Sequence, residues 1–124
     1  MTPLEVVHAF VNAINRRDID ELARLMTEDH VFTDSLGGAV RGRDNMKAAW
    51  AGYFQLVPGF TITIEETHSD DPVVILLGVA QGTYAGETWS TPSAWRAKVR
   101  DGRVAEWRVY ADNEPIRQLM RKAR

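Results

Sequence analysis

At Pro58-Gly59 the spacing of apolar residues turns from mainly helical to strand-like for most of the remainder, and no other feature constrains the fold as much. Before it, apolar side chains recur three and four apart. Val6, Val7, Phe10, Val11 and Ile14 form one helical stripe; Ile19, Leu22, Leu25 and Met26 form a shorter second one. Met46, Trp50, Tyr53, Phe54 and Val57 form a third, within a helix predicted from about Asp44 to Val57. After Gly59 the period is two, with Phe60, Ile62 and Ile64 facing one way and Thr61, Thr63 and Glu65 the other. Turn signals then mark out strands at Phe60–His68, Val73–Tyr84, Trp89–Arg100 and Arg103–Ala111. Sequential strands joined by turns give a mostly antiparallel sheet, and helices gathered in the N-terminal half must pack on one face of it. The predicted class is α+β. N-terminal helices pack on a strongly curved, mostly antiparallel sheet to form a cone-shaped α+β barrel, finished by a short C-terminal helix, Ile116–Lys122.

The helix boundaries are written in local chemistry. Thr2, Pro3 and Glu5 form a capping-box start, and Asp18 caps the second helix. Asp112-Asn113-Glu114-Pro115 is a start signal for the last helix, and Asp112 reads as its cap. Val73–Tyr84 is nearly continuous in apolar residues, as expected of a central strand covered on both sides.

The stretch Glu28–Asn45 mixes chemistries that rarely share a surface. It reads as a strand, His30–Leu36, followed by a Gly37-Gly38 turn. The strand period puts His30, Phe32 and Asp34 on one face and turns Ser35 to the other. A carboxylate on an otherwise apolar face either finds hydrogen bonds or is held protonated by desolvation. Asp34 is therefore the candidate general base, and equally a candidate turn residue that bonds its own backbone. Around it, Phe32, Trp50, Tyr53, Trp95 and Trp107, with Val109 and with His30 near the mouth, are the expected lining of a cavity. Trp107, Val109 and Ala111 share one strand face, while Arg108 and Tyr110 face outward. His8, one position beyond the first helical stripe, reads as a surface residue.

Other chemistries find little support. His8, His30 and His68 are scattered, without the spacing of metal ligands, so no metal or other cofactor is predicted. Glycine-rich phosphate loops and nucleophile-elbow motifs are absent, and there is no cysteine. A formal charge of −2 gives no basic field for nucleic acid. No apolar run approaches the length of a membrane span, and no charged-then-apolar leader opens the sequence, so a cytoplasmic location is the expectation. With 124 residues, 44% hydrophobic, residues 1–124 are expected to form a single domain.

The element order, together with DIDELARLMTEDHVFTDSLGG, VRGRDNMKAAW and VRDGRVAEWRVYADNEPIRQLM, resembles the nuclear transport factor 2-like superfamily. Within it, the sequence is most similar to the SnoaL-like and ketosteroid-isomerase-like branch. That resemblance implies a cone with one open mouth and places Asp34 at the position of the isomerases' catalytic aspartate. Phe10 and Trp95 stand where those isomerases carry an oxyanion-holding tyrosine and acid. Val109 stands where SnoaL-like cyclases carry a last-strand aspartate.

Two readings follow. In one, the protein binds a small apolar carbonyl-bearing ligand and catalyses isomerase- or cyclase-like proton transfer, with Asp34 as base and Trp95 or Tyr53 holding the oxygen. In the other, the same cone is a non-catalytic ligand-binding or dimeric accessory module. A homodimer through the outer sheet face is expected in either case, because strands with two apolar faces outrun what the helices can cover.

Overall fold

The computed structural model describes residues 1–112 and 114–122. Asn113, part of the predicted start of the last helix, lies outside the described residues. Helix α1 (Pro3–Arg16) opens on the expected capping box, with the Thr2 and Glu5 side chains each accepting from the other's backbone N–H. Asp18 caps α2 (Ile19–Arg24) by accepting from Glu21 N. Leu25 ends that helix, and Met26, expected on its stripe, begins strand β1 (Met26–Thr33). A three-residue strand that the spacing did not predict, β2 (Ala39–Arg41), pairs back on β1. Helix α3 (Arg43–Leu56) follows.

Strands β3 (Thr61–Asp70), β4 (Val73–Tyr84), β5 (Glu87–Arg100) and β6 (Arg103–Ala111) then run as an antiparallel meander to α4 (Glu114–Lys122). Asp112 Oδ1 accepts from Glu114 N at 3.0 Å, the predicted capping role. The sheet order is β2-β1-β6-β5-β4-β3, and only the β1–β6 pair is parallel. The sheet is curled but does not close, since β2 and β3 remain its edges. No described helix is long and apolar enough to cross a membrane.

The curl has a local cause. The β3–β4 register shifts between Ile64 and Glu66, and Gly78 of β4 faces Ile64 at that bulge. A Cβ on Gly78 would lie 1.9 Å from Thr63 O, so only glycine lets the two backbones approach this closely. Four residues on, Gly82 takes Val57 and Trp89 against its bare backbone.

Helix α1 lies across β3 to β6, and α3 packs on β1 and β2. One apolar core joins them, with Phe10, Ile14, Leu22, Leu76 and Trp107 almost completely buried. The C-terminal end of α1 also clamps the β3 edge. Asn15 Nδ2 donates to Ile62 O at 2.9 Å, and Asn15 Oδ1 accepts from Ile62 N at 2.8 Å. Arg17 donates to Phe60 O.

Strand β4 was expected to be covered on both faces. Its inner residues Val74, Leu76 and Ala80 are buried, but Val73, Ile75, Leu77 and Val79 on the outer face are only half-buried. Helices α1 and α3 occupy the concave side, and among the described residues no layer covers the outer face of β4 fully.

Candidate functional site

The concave face of the sheet and α3 enclose a cavity of about 310 Å³. Helical spacing brings Met46, Ala49, Trp50 and Tyr53 to one side of α3, and these form one wall. The strand period supplies the other walls: Phe60 and Ile62 beside β3's edge, Ala80 from β4, Trp89, Thr91 and Trp95 from β5, Trp107 and Val109 from β6. Phe32 and Asp34 enter from β1 and the residue just beyond it, and Val40 from β2.

Trp50 is the hub of the aromatic wall. Its ring centroid lies 6.2–6.3 Å from those of Phe32, Tyr53 and Phe60, and 5.3 Å from Phe54. Phe60 extends the set to Trp89 at 6.2 Å. Across the cavity, Trp95 stacks on Trp107 at 6.4 Å, and Trp107 rests on Phe10 at 4.9 Å. The indole N–H groups of Trp50, Trp89 and Trp107 are sealed from solvent and have no hydrogen-bond partner among the described residues. These three tryptophans therefore show the cavity ring carbon rather than a donor. Thr91 commits its hydroxyl to Asp112 O at 2.8 Å. Burial pushes the Tyr53 phenol up to about 12, so it stays a neutral hydroxyl.

Asp34 sits one residue past the end of β1, in the turn rather than within the strand. Its Oδ1 accepts from Leu36 N and Gly38 N, both at 2.9 Å, an Asx-type arrangement that closes the turn. Both backbone bonds fall on one oxygen. Oδ2 accepts no hydrogen bond seen among the described residues and lies beside Gly38, where a Cβ would approach it to 2.8 Å; the side chain as a whole lines the cavity. The two roles weighed from sequence, turn residue and cavity carboxylate, thus coexist in one side chain.

Phe32, Trp50, Tyr53, Trp95, Trp107 and Val109 all line the cavity with Asp34. His30 does not. It was expected near the mouth, but it is fully buried behind the wall, 6.1 Å from the Phe10 ring. Its Nδ1 donates to Val104 O at 2.6 Å, because a carbonyl can only accept. Burial holds the imidazole below its ordinary 6.5, against weaker opposing effects of that hydrogen bond and of Asp29 and Glu106. His30 is a core histidine. Trp89, Thr91, Phe60 and Met46 are wall residues not singled out from sequence. The period of two from Trp95 leads back to Thr91 and Trp89, and the helical period from Trp50 leads back to Met46. His8 is exposed. Among the described residues, no group of three or more His, Asp or Glu side chains is placed to hold a metal ion.

Residues 7–107 match the family model of the SnoaL-like domain, and the chain belongs to that family. A protein assigned as a SnoaL-like polyketide cyclase from Shewanella denitrificans OS-217 shares the fold, with a TM-score of 0.86 at 17% identity over 97% of each chain. A protein of ketosteroid isomerase-like fold from Catenulispora acidiphila, solved with trimethylamine, gives 0.84 at 20% identity over 94% of this chain and 91% of that one. An LEH-like epoxide hydrolase from M. tuberculosis gives 0.84 at 22% identity over 96% and 90%. At these identities the likeness is one of fold. Comparison with curated proteins gives no match.

Proposed function

We propose that this SnoaL-like protein binds one small, largely apolar organic molecule in the cavity, with Asp34 as the anchor for its polar end. The observation that carries this reading is the lining itself. Apart from Asp34, the described wall residues are aromatic or aliphatic side chains and a threonine, around about 310 Å³. That is the low end of ligand-sized pockets, and a wall of this kind with one placed polar group is their usual form. The relative solved with trimethylamine is a precedent for a small organic molecule on this fold. Saturable quenching of tryptophan fluorescence by small aromatic compounds tests it. Ala49→Trp, which fills the cavity, should abolish the quenching, and unchanged quenching in that variant would refute the site.

A catalytic form of the same reading is supported by the Asp34 carboxylate in the wall and the neutral Tyr53 phenol. Asp34 would take a proton from the carbon next to a ligand carbonyl while Tyr53 donates to the oxygen. Deuterium exchange into enolisable ketones, followed by NMR, should then fall about a hundredfold in Asp34→Asn. Exchange no faster than in buffer would leave the binding role alone. The indole N–H groups of Trp50, Trp89 and Trp107 are sealed and not available to the carbonyl oxygen.

The uncovered outer face supports a homodimer. Ile75, Leu77 and Val79 are in register with Arg96, Ala94 and Pro92, and the exposed Tyr110 pairs with Ala94. A second copy would cover this patch. Sedimentation equilibrium at micromolar concentration should give twice the chain mass; a monomer would refute the pairing.

A further inference from the structure

The charges around the cavity are one-sided. Among its described lining residues, Asp34 is the only Asp, Glu, Lys, Arg or His. No lysine, arginine or histidine of the described wall balances it. His30, the nearest candidate in sequence, is turned into the core and bonded to Val104 O. Much of the rest of the wall is aromatic, from Trp50, Tyr53, Phe60, Trp89 and Trp95. Ring faces and a carboxylate oxygen both attract positive charge. A neutral carbonyl compound would instead seek N–H or O–H donors. The indole donors of Trp50, Trp89 and Trp107 are sealed and the Thr91 hydroxyl is spent on Asp112 O, so at most the Tyr53 hydroxyl and the Trp95 indole remain to it.

We infer that the cavity is built for an organic cation, an alkylated ammonium compound with an apolar body, held by the aromatic rings and by Asp34 Oδ2. The inference rests on the binding reading above and narrows it to a ligand class. A primary ammonium carries three N–H donors and loses strong hydration on entry, and this wall offers few acceptors to replace it. A quaternary or tertiary ammonium is weakly hydrated and needs few or no acceptors, so the same wall suits it. Asp34 serves this role without rearrangement. Oδ1 is fixed by Leu36 N and Gly38 N, which orients the carboxylate, and no hydrogen bond to Oδ2 is seen among the described residues.

The test is a pair of probes equal in shape and different in charge, benzyltrimethylammonium and neopentylbenzene. Both are titrated against the full chain by tryptophan fluorescence. The cation should bind about tenfold tighter or better, the size expected for cation–π and carboxylate contacts in a sheltered site. Asp34→Asn keeps an oxygen for the two backbone donors. It should remove most of that preference and leave the neutral probe within about twofold of its wild-type affinity. Equal or tighter binding of neopentylbenzene overturns the charge assignment while the cavity reading survives. A cation preference unchanged in Asp34→Asn overturns the role of this carboxylate. Saturable binding of neither probe overturns the cavity reading and the inference together.

Discussion

Gly78→Ala tests the feature that gives the sheet its curl and hence the cavity its shape. The added methyl would sit 1.9 Å from Thr63 O and 3.0 Å from the Thr63 carbonyl carbon. Carbon–oxygen contacts across strands ordinarily settle near 3.3–3.6 Å, so β3 must retreat by roughly 1.5 Å. The obstacle is backbone, which cannot rotate aside as a side chain would. The same segment carries Ile62 into the cavity wall and is clamped to Asn15. A cost at the upper end of overpacking, about 3 kcal/mol, is expected. For a chain of 124 residues this corresponds to a fall in Tm of roughly 9–15 °C. Differential scanning calorimetry measures it. Gly52→Ala is the matched control, since a Cβ there meets nothing within 4 Å on an exposed part of α3. It should gain about 0.5–1 kcal/mol from helix propensity. If Gly78→Ala melts within about 3 °C of the wild type, close backbone approach at the bulge is not what shapes this sheet.

Asn15→Ala leaves Ile62 N and O without their side-chain partners and should cost about 1–3 kcal/mol in urea unfolding. His30 makes stability depend on pH. Its folded-state pKa lies below the ordinary 6.5, so the unfolded chain takes up the proton first as pH falls. Stability is therefore full above 6.5 and declines as pH drops below it. The urea midpoint should be lower at about pH 5.5 than at about pH 7.5, and His30→Gln should flatten that difference. Gly38→Ala places a methyl 2.8 Å from Asp34 Oδ2 in an exposed turn. Stability should stay within about 0.5 kcal/mol, while the preference for a cationic probe falls because the carboxylate is displaced.

Much of this arrangement was legible in the residues. The change of period at Pro58-Gly59 located the meander, and the capping chemistry of Thr2 and Asp18 located the starts of the first two helices. Helical spacing put Trp50 and Tyr53 on one wall, and strand spacing put Trp107 and Val109 on the facing one. Elsewhere the decisive contacts were long-range. β2 has only three residues, too few to show a period, and exists because β1 is there to pair with it. His30 shares a strand face with Phe32. Yet β1 runs beside β6 with a register shift between Met26 and Val31, and His30 packs against Phe10 rather than the opening. Local pattern cannot foresee that displacement. Asp34 was ambiguous in the sequence because its side chain does two things, closing the turn and lining the cavity.

The most direct test of the account is a crystal structure with benzyltrimethylammonium bound. The probe should lie among Trp50, Tyr53 and Trp95, with its ammonium group beside the Asp34 carboxylate. A probe seated on the outer sheet face, or a cavity closed by its own tryptophans with no probe inside, would contradict it.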